Sequence, residues 1–341
     1  MKKLLAIVLA AVMTLAMTAC GSAAASSSAA APASSAAASS AAGSAAASGK
    51  TYTVGICQLV QHVALDAATQ GFQDALKKEL GDAVKFDVQN AAGDSATCSV
   101  ICNQFVSSGY DLIMANATPA LQAAASATSS IPILGTSVTD YATALEISDW
   151  NGTVGGNISG TSDLAPLDQQ AAMIQELFPD AKTVGLLYCS GEANSVYQAK
   201  SIRDYLEKAG YTVKDYTFAD SNDVSSVTST ACSEADVLYI PTDNTAASCT
   251  EAINNVALNA KKPIVAGEEG ICKGCGVATL SISYYDLGYQ TGEMAYKVLT
   301  GTDISTMPVE FSPKVTKEYN AATCEALGIK VPDGYTAIAE S

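Results

Sequence analysis

The sequence predicts an α/β protein with two doubly wound parallel-sheet lobes joined by a hinge of several strands. Short apolar runs alternate with helical stretches from about residue 51 to residue 300. This pattern is typical of a parallel sheet covered by helices on both faces. The alternation starts afresh after a turn-rich stretch at residues 160–165, so each lobe receives its own set of strand–helix units.

The predicted elements follow in chain order. In the first set, strands are expected at 51–59, 85–90, 111–116 and 132–137, with helices at 64–80, 96–107 and 119–128. In the second set, strands are expected at 183–189, 212–218, 237–241 and 263–267, with helices at 169–178, 195–209, 224–233 and 246–260. A further strand at 277–283 leads into a long helix at 285–300, which should pack back on the first lobe, before a strand and helix at 309–327 return to the second. The first lobe is therefore expected to contain residues 50–162 plus about 284–308, and the second 163–283 plus about 309–341.

The N-terminus predicts export. Lys2 and Lys3 precede an apolar stretch at residues 4–17, and small residues lead up to Cys20. The apolar stretch is too short for a comfortable membrane span, and the layout is that of a signal peptide over residues 1–20. The segment before Cys20 resembles a bacterial lipobox, whose cysteine thiol receives a diacylglyceryl group. The alternative is an ordinary cleaved signal with a chance cysteine.

Residues 21–49 consist almost wholly of Ser, Ala and Gly. Such a segment buries too little side-chain area to offset the entropy lost on ordering, so we expect a disordered linker. A flexible chain of this length reaches roughly 30 Å, which suits a tether between a lipid anchor and a folded domain. An alanine-rich helix is the alternative, which the interleaved serines and glycines weaken.

Composition excludes several function classes. The net charge of −16 disfavours a nucleic-acid partner, because phosphates would be repelled. The nucleophile-elbow pattern G-x-S-x-G is absent and His62 is the sole histidine, so no hydrolytic enzyme is expected. The P-loop pattern is also absent, which agrees with a passive receptor whose ATPase would be a separate chain.

The ten cysteines predict neither a metal nor a cofactor site. Setting Cys20 aside leaves an odd number, so at least one thiol is free or pairs with another chain. Cys272 and Cys275 form a lone CxxC, for which a local disulfide and two reduced thiols both remain open. Cys98 and Cys102 lie four residues apart on a predicted helix, where core packing is the default role.

Polar segments follow the predicted strands of both lobes. Ligands bind beyond the carboxyl ends of the strands in open parallel sheets, so these segments are expected to share one cleft. The candidate ligand-binding residues are Gln61, His62, Thr118, Ser137, Thr139, Asn194, Ser195, Asp243, Asn244 and Glu268. Helix N-cap residues among them suggest a seat for a carboxylate, and Asp243 and Glu268 suggest partners for an ammonium group.

Each candidate also has a purely structural alternative. Thr118 and Ser195 fit helix caps, Asp243 fits an Asx turn, and His62 fits a structural hydrogen-bond donor. Tyr284 and Tyr285, at the start of the long helix, could stack on a ligand ring or serve only in hinge packing. The functional interpretation depends on all the segments converging on one cleft.

Six motifs resemble one known family. They are QHVALD at 61–66, NATPALQAA at 116–124, GTSDL at 160–164, GEANS at 191–195, PTDNT at 241–245 and SYYDLGYQTGEMA at 283–295. Together they resemble the ABC transporter substrate-binding family that includes tryptophan- and tyrosine-binding lipoproteins. The resemblance implies the type I periplasmic binding protein fold and an amino acid ligand. It also implies that Thr118, Ser137 and Thr139 hold the ligand carboxylate, and that Asp243 or Glu268 holds its ammonium.

These observations predict a monomeric, lipid-anchored binding protein on the extracytoplasmic face of the cell membrane. It would bind a small molecule by hinge closure, an amino acid with an aromatic one as the narrower expectation, and present it to an ABC permease. One alternative ligand is a nucleoside or another aromatic metabolite. The alternative role is an extracellular ligand-sensing domain.

Overall fold

Two sheets, each with helices on both faces, organise the chain. The computed structural model describes residues 50–312 and 314–339, which lie in one compact unit. The predicted signal peptide with Cys20 and the linker at 21–49 fall outside the described residues. The described part contains no helix that is both long and apolar enough to cross a membrane.

The first sheet has six strands in the order β11-β5-β4-β3-β1-β2, all parallel. The second has seven strands in the order β13-β12-β10-β9-β8-β6-β7, and only the β10–β12 pair is antiparallel. The strands are β1 Tyr52–Gln58, β2 Val84–Asn90, β3 Leu112–Asn116, β4 Ile133–Val138, β5 Ile158–Ser162, β6 Thr183–Cys189, β7 Thr212–Phe218, β8 Val237–Ile240, β9 Ile264–Ala266, β10 Ala278–Ser281, β11 Glu310–Phe311, β12 Thr316–Tyr319 and β13 Thr336–Ala337.

Twelve α-helices connect and cover these strands within the described residues. They are α1 Val63–Leu80, α2 Ser95–Ser107, α3 Thr118–Ala127, α4 Tyr141–Ala144, α5 Leu167–Leu177, α6 Ala193–Lys208, α7 Val224–Glu234, α8 Asn244–Ser248, α9 Thr250–Asn259, α10 Glu269–Cys275, α11 Tyr284–Leu299 and α12 Ala321–Leu327. The helix expected at 246–260 is divided at Cys249 into α8 and α9, and α10, which carries the CxxC, was not predicted.

Each face of each sheet buries its own apolar cluster. On β3, Leu112 and Met114 pack against α1 and α11, whereas Ile113 and Ala115 pack against α2 and α3. Side chains alternate between the two faces of a strand, and both faces here are covered, so the strands are apolar throughout. Cys98 and Cys102 belong to the α2 side of this core. All nine cysteines in the described part of the chain are free thiols.

The chain passes between the lobes three times. It leaves the first sheet after Ser162, returns between Ser281 and Tyr284, and crosses again between Phe311 and Thr316. The third crossing lies later than the expected 308/309, because Glu310–Phe311 pairs with β5 in the first sheet. A hinge of three segments results, which matches the predicted multi-strand hinge.

The strand β5 was not predicted, since its sequence ISGTS was interpreted as a turn-rich boundary. After Ile158 its residues are only Ser, Gly and Thr, and all five are buried. A Cβ at Gly160 would collide with Tyr141 Oη and with the Gly135 carbonyl oxygen. The close approach of β4, β5 and α4 therefore requires small residues, and these conceal a central strand from a search for apolar runs.

Candidate ligand-binding site

The first-lobe wall of the interlobe cleft presents hydroxyl groups from the loops after β3 and β4. The backbone φ is +54° at Ser137 and +93° at Ala117, the residue before Thr118. These are conformations that residues other than glycine rarely adopt, and they concentrate at functional sites. Thr118 Oγ1 and Ser137 Oγ are buried, and neither has a hydrogen-bond partner among the described residues.

The second-lobe wall presents carboxyl groups from the loops after β8 and β9. Asp243 accepts hydrogen bonds from the backbone N–H groups of Ala246 at 2.7 Å and Cys189 at 2.6 Å. Glu268 caps α10 by accepting from the N–H groups of Gly270 and Ile271. Burial raises the pKa of Asp243 to about 8 and the pKa of Glu268 to about 7. These backbone bonds oppose that rise but do not cancel the cost of removing the charge from water.

Glu192, which precedes α6, organises this wall through its hydrogen bonds. Its carboxylate accepts from the N–H groups of Asn244 at 3.1 Å and Thr245 at 2.8 Å. It also accepts from Asn244 Nδ2 at 2.6 Å and Asn194 Nδ2 at 3.1 Å. Both amide side chains are therefore fixed with their nitrogen towards Glu192 and their oxygen away from it.

A small cavity lies between the two walls. Six of the predicted residues line it, namely His62, Ser137, Asn194, Asp243, Asn244 and Glu268. The remaining lining residues are Leu65, Asp163, Thr242, Ala247 and Tyr284. None of these residues, all in the described part of the chain, is Lys or Arg, so the cavity has three carboxyl groups and no basic partner for them.

The other four predicted residues do not line this cavity. Gln61 is exposed and lies in an outer groove with Asp66 and Asn90. Thr139 and Ser195 are buried and already bonded, since Thr139 Oγ1 donates to Asp163 and Ser195 Oγ accepts from Asn194. Thr118 is buried with its hydroxyl unpartnered, and it is not among the residues that line this cavity.

Sequence reasoning did not assign Asp163 to the site. This carboxyl follows β5 and is buried at the first lobe crossing. It accepts from Thr139 Oγ1 at 3.0 Å and from the Tyr284 hydroxyl at 2.9 Å. Burial raises its pKa. The motif GTSDL contains Asp163, but only the strand β5, which was not predicted, places this residue at the carboxyl end of a strand and hence at the cleft. Tyr285, by contrast, faces outwards and donates to Asp74.

His62 links the walls and turns an acceptor towards the cavity. Its Nε2 lies 3.2 Å from Asn244 Oδ1. Because Asn244 Nδ2 donates to Glu192, its Oδ1 must accept, and the proton of His62 therefore belongs on Nε2. Burial lowers the pKa of His62, so its unpartnered Nδ1 is left as a lone-pair acceptor.

Three unpartnered polar atoms thus belong to residues that line the cavity: His62 Nδ1, Asn194 Oδ1 and Ser137 Oγ. Buried polar atoms are nearly always hydrogen-bonded, so an unpartnered set at one cavity indicates where a ligand binds. Two of the three are obligate acceptors, and the carboxyl groups beside them are also acceptors when ionised. The cavity is chemically suited to a group with several N–H donors and a positive charge.

Comparison with known proteins identifies the family. A family model described as ABC transporter substrate binding protein matches residues 53–341. The chain belongs to this family. A tyrosine-binding protein from Clostridioides difficile (strain R20291) is 39% identical over 286 residues, covering 83% of each chain. The family consists of non-catalytic binders, and the relative is likewise named for binding.

Two solved structures of similar proteins confirm the type I fold. A Streptococcus pneumoniae ABC domain in complex with L-Trp is 34% identical and has a TM-score of 0.81, covering 85% of this chain and all of that one. The ligand-free, open structure of a Clostridium difficile substrate-binding protein with adhesive properties is 38% identical but has a TM-score of only 0.65, covering 84% of this chain and 99% of that one.

The relative of higher identity fits less well, so lobe arrangement rather than sequence accounts for the difference. In this protein, hydrogen bonds cross the cleft from His62 to Asn244 and from Gln198 to Thr139. The cleft of this substrate-binding protein is therefore closed.

Proposed function

We propose that this substrate-binding protein is an extracytoplasmic lipoprotein that captures an aromatic L-amino acid between its lobes. The closed, loaded form then delivers the amino acid to the permease of an ABC importer. The observation that carries the ligand class is the acceptor-rich cavity: two unpartnered acceptors and three buried carboxyl groups, with neither Lys nor Arg among the described lining residues.

An α-ammonium group satisfies this cavity directly. It offers three donors and one positive charge, and a buried carboxylate is stable when such a partner is beside it. Asp243 is the partner we favour. Its loop is bonded to the acceptor residue Asn194, whose Nδ2 donates to the carbonyl oxygen of Thr242, and Asp243 retains unused lone pairs beyond its two backbone bonds. One ammonium neutralises one carboxylate, and burial raises the pKa values of Asp163 and Glu268, which favours the neutral form of the other two carboxyl groups.

The ligand carboxylate is assigned to the first-lobe wall. Ser137 and Thr118 hold unpartnered hydroxyl groups there, and Thr118 begins the ten-residue helix α3. Hydroxyl donors and the positive end of a helix dipole both favour an anion. The two charged ends of an amino acid would therefore be held by different lobes, which gives a physical reason for closure on binding.

The aromatic side chain is supported by the relatives and by the apolar part of the lining. One relative is named for tyrosine and a second was solved with L-Trp. In this chain Leu65, Ala247 and the ring of Tyr284 line the same cavity as the polar groups. A ring packed against Tyr284 would gain from aromatic contact beyond its buried area.

A titration with dissected ligands tests the assignment. We expect L-tyrosine, L-tryptophan or L-phenylalanine to bind and to reduce the radius of gyration measured by small-angle scattering. Tyramine lacks the carboxylate and 3-(4-hydroxyphenyl)propionate lacks the ammonium, so each should bind at least 100-fold more weakly than L-tyrosine. Binding of adenosine or uridine in place of amino acids would contradict the proposal and favour the nucleoside alternative.

Lipid anchoring and the importer role rest on the N-terminal sequence and the family. Incorporation of a labelled fatty acid into the protein, and its loss in Cys20→Ala, would support the anchor. Loss of amino acid uptake on deletion of the gene would support transport, whereas unchanged uptake with a lost cellular response to the amino acid would favour the sensing role.

A further inference from the structure

Gln198, on α6 of the second lobe, joins the two lobes with one buried side chain. Its Nε2 donates to Thr139 Oγ1 in the first lobe at 3.1 Å. Its Oε1 accepts from the backbone N–H of Thr242 at 3.2 Å and from Thr242 Oγ1 at 2.9 Å. The side chain is only 2% exposed, so these bonds are shielded from water.

The orientation of this amide is fixed by chemistry. A backbone N–H can only donate, so the atom that faces Thr242 must be the oxygen, and the nitrogen must face Thr139. The Thr139 hydroxyl accepts that bond and donates its own proton to Asp163 Oδ1 at 3.0 Å. Every donor in this row therefore meets an acceptor.

The row continues into the hinge. Asp163 also accepts from the Tyr284 hydroxyl at 2.9 Å. Asp163 lies where the chain first leaves the first lobe, and Tyr284 lies where it returns. Gln198 is thus connected, through Thr139 and Asp163, to two of the three segments that must bend when the cleft opens.

We propose that Gln198 is a positioning residue that latches the closed form and sets how long a ligand is retained. This inference rests on the proposed closure around a ligand. Thr242 and Gln198 belong to the same lobe, so opening leaves their two bonds intact. Thr139 belongs to the other lobe, so opening breaks the bond between Gln198 and Thr139 but not the two bonds between Gln198 and Thr242. The Gln198–Thr139 bond consequently favours the closed form over the open one without affecting the fold of either lobe.

The test is a double-mutant cycle with Gln198→Ala, Thr139→Val and the double variant. L-tyrosine is the probe, and its dissociation rate is followed by stopped-flow fluorescence. Each single variant should release L-tyrosine three- to tenfold faster, the range expected for one net hydrogen bond. The double variant should be no faster than the faster single variant, because both changes remove the same bond. Fully multiplicative effects would overturn the latch.

Gln170 provides the matched control. It is also a buried glutamine, but its amide bonds to Gly267, Leu280 and Tyr239, all within the second lobe. Gln170→Ala should lower the melting temperature and leave the dissociation rate unchanged. Gln198→Glu is the conservative variant, since it keeps the shape and the Thr242 bonds but cannot donate to Thr139, so it should release ligand at least as fast as Gln198→Ala.

A ligand-free arm separates this inference from the proposed function. Thr139→Cys/Gln198→Cys is treated with dibromobimane, which becomes fluorescent on joining two nearby thiols, and the two single substitutions, Thr139→Cys and Gln198→Cys, which carry the same native free thiols, give the background. Cross-linking above that background supports the latch geometry even if no amino acid binds. Cross-linking at background level overturns it. Binding of L-tyrosine with no coupling in the cycle overturns the latch while the proposed function stands.

Discussion

The two walls of the cleft differ in chemistry although they come from lobes of the same fold. The first-lobe wall offers unpartnered hydroxyl groups on strained backbone at Ser137 and beside Thr118. The second-lobe wall offers Asp243 and Glu268, each held by backbone N–H groups. Neither wall alone satisfies a zwitterion, so the comparison indicates that ligand charge is divided between the lobes and that closure is needed to bind both ends.

The largest expected effect comes from removing the charge of the second wall. Asp243→Asn keeps the side-chain shape and the cap on α8 but cannot hold an ammonium ion by charge. We expect a loss of about 3 kcal/mol of binding free energy, roughly 100-fold in Kd for L-tyrosine by calorimetry. The control is Asp303→Asn, an exposed cap that accepts from Ser305 N at 3.0 Å, which should leave Kd unchanged. An equal loss in both variants would break the assignment.

The second prediction concerns pH and the empty cleft. In the closed form the pKa values of Asp243 and Glu268 are raised to about 8 and about 7 by burial. In an open cleft these groups meet water and their pKa values fall towards about 4. The closed form then binds more protons, so its extra stabilisation is complete below about pH 4 and is lost as the pH rises through 7 and 8.

Lowering the pH from 8 to 6 should therefore shift the ligand-free protein towards closure and raise the closed-to-open ratio. Small-angle scattering would report this as a decrease in the radius of gyration. Asp163, whose pKa is also raised by burial, acts in the same direction. The variant Asp243→Asn/Glu268→Gln should lose most of the response, and a wild-type protein that opens on acidification would contradict the expected sign.

The smallest effect on L-tyrosine affinity is expected from substitutions in the first-lobe wall. Ser137→Ala removes one hydroxyl donor and should weaken L-tyrosine binding about fivefold. Ser137→Gly removes the same hydroxyl but accepts the φ of +54° without strain, so it should bind equally weakly yet melt at a higher temperature than Ser137→Ala. The exposed Ser130→Ala is the control. Full affinity in the glycine variant would show that the backbone, rather than the hydroxyl, matters.

The fold could be predicted from the sequence because its strands are buried on both faces. Runs such as LIMAN in β3 are apolar at every position but the last, and their alternation with helices specifies a doubly wound sheet. The strand β5 could not be found in this way, because four of its five residues are Ser, Gly or Thr and its neighbours leave no room for a Cβ at Gly160. The same miss concealed Asp163.

The site could be predicted to the level of loops but not of single side chains. The rule that ligands lie beyond the carboxyl ends of parallel strands located the segments containing His62, Ser137 and Asn194. Within a loop, adjacent residues point in different directions, so Gln61 is exposed while His62 lines the cavity. Thr139 illustrates the other limit, because its hydroxyl is already engaged by Asp163 and Gln198, which are distant in sequence.

The packing of α1 against α11 has a consequence for the motion. A Cβ at Gly288 would fall on the Ala68 carbonyl oxygen, and one at Gly71 on the Tyr285 carbonyl oxygen, so the two helix backbones touch with no side chain between them. Two helices in such contact cannot slide past one another. The two helices therefore move as one rigid body. This body carries His62, just before α1, and Tyr284, at the start of α11. The distance between His62 and Tyr284 therefore stays constant while the opposite wall of the cleft moves.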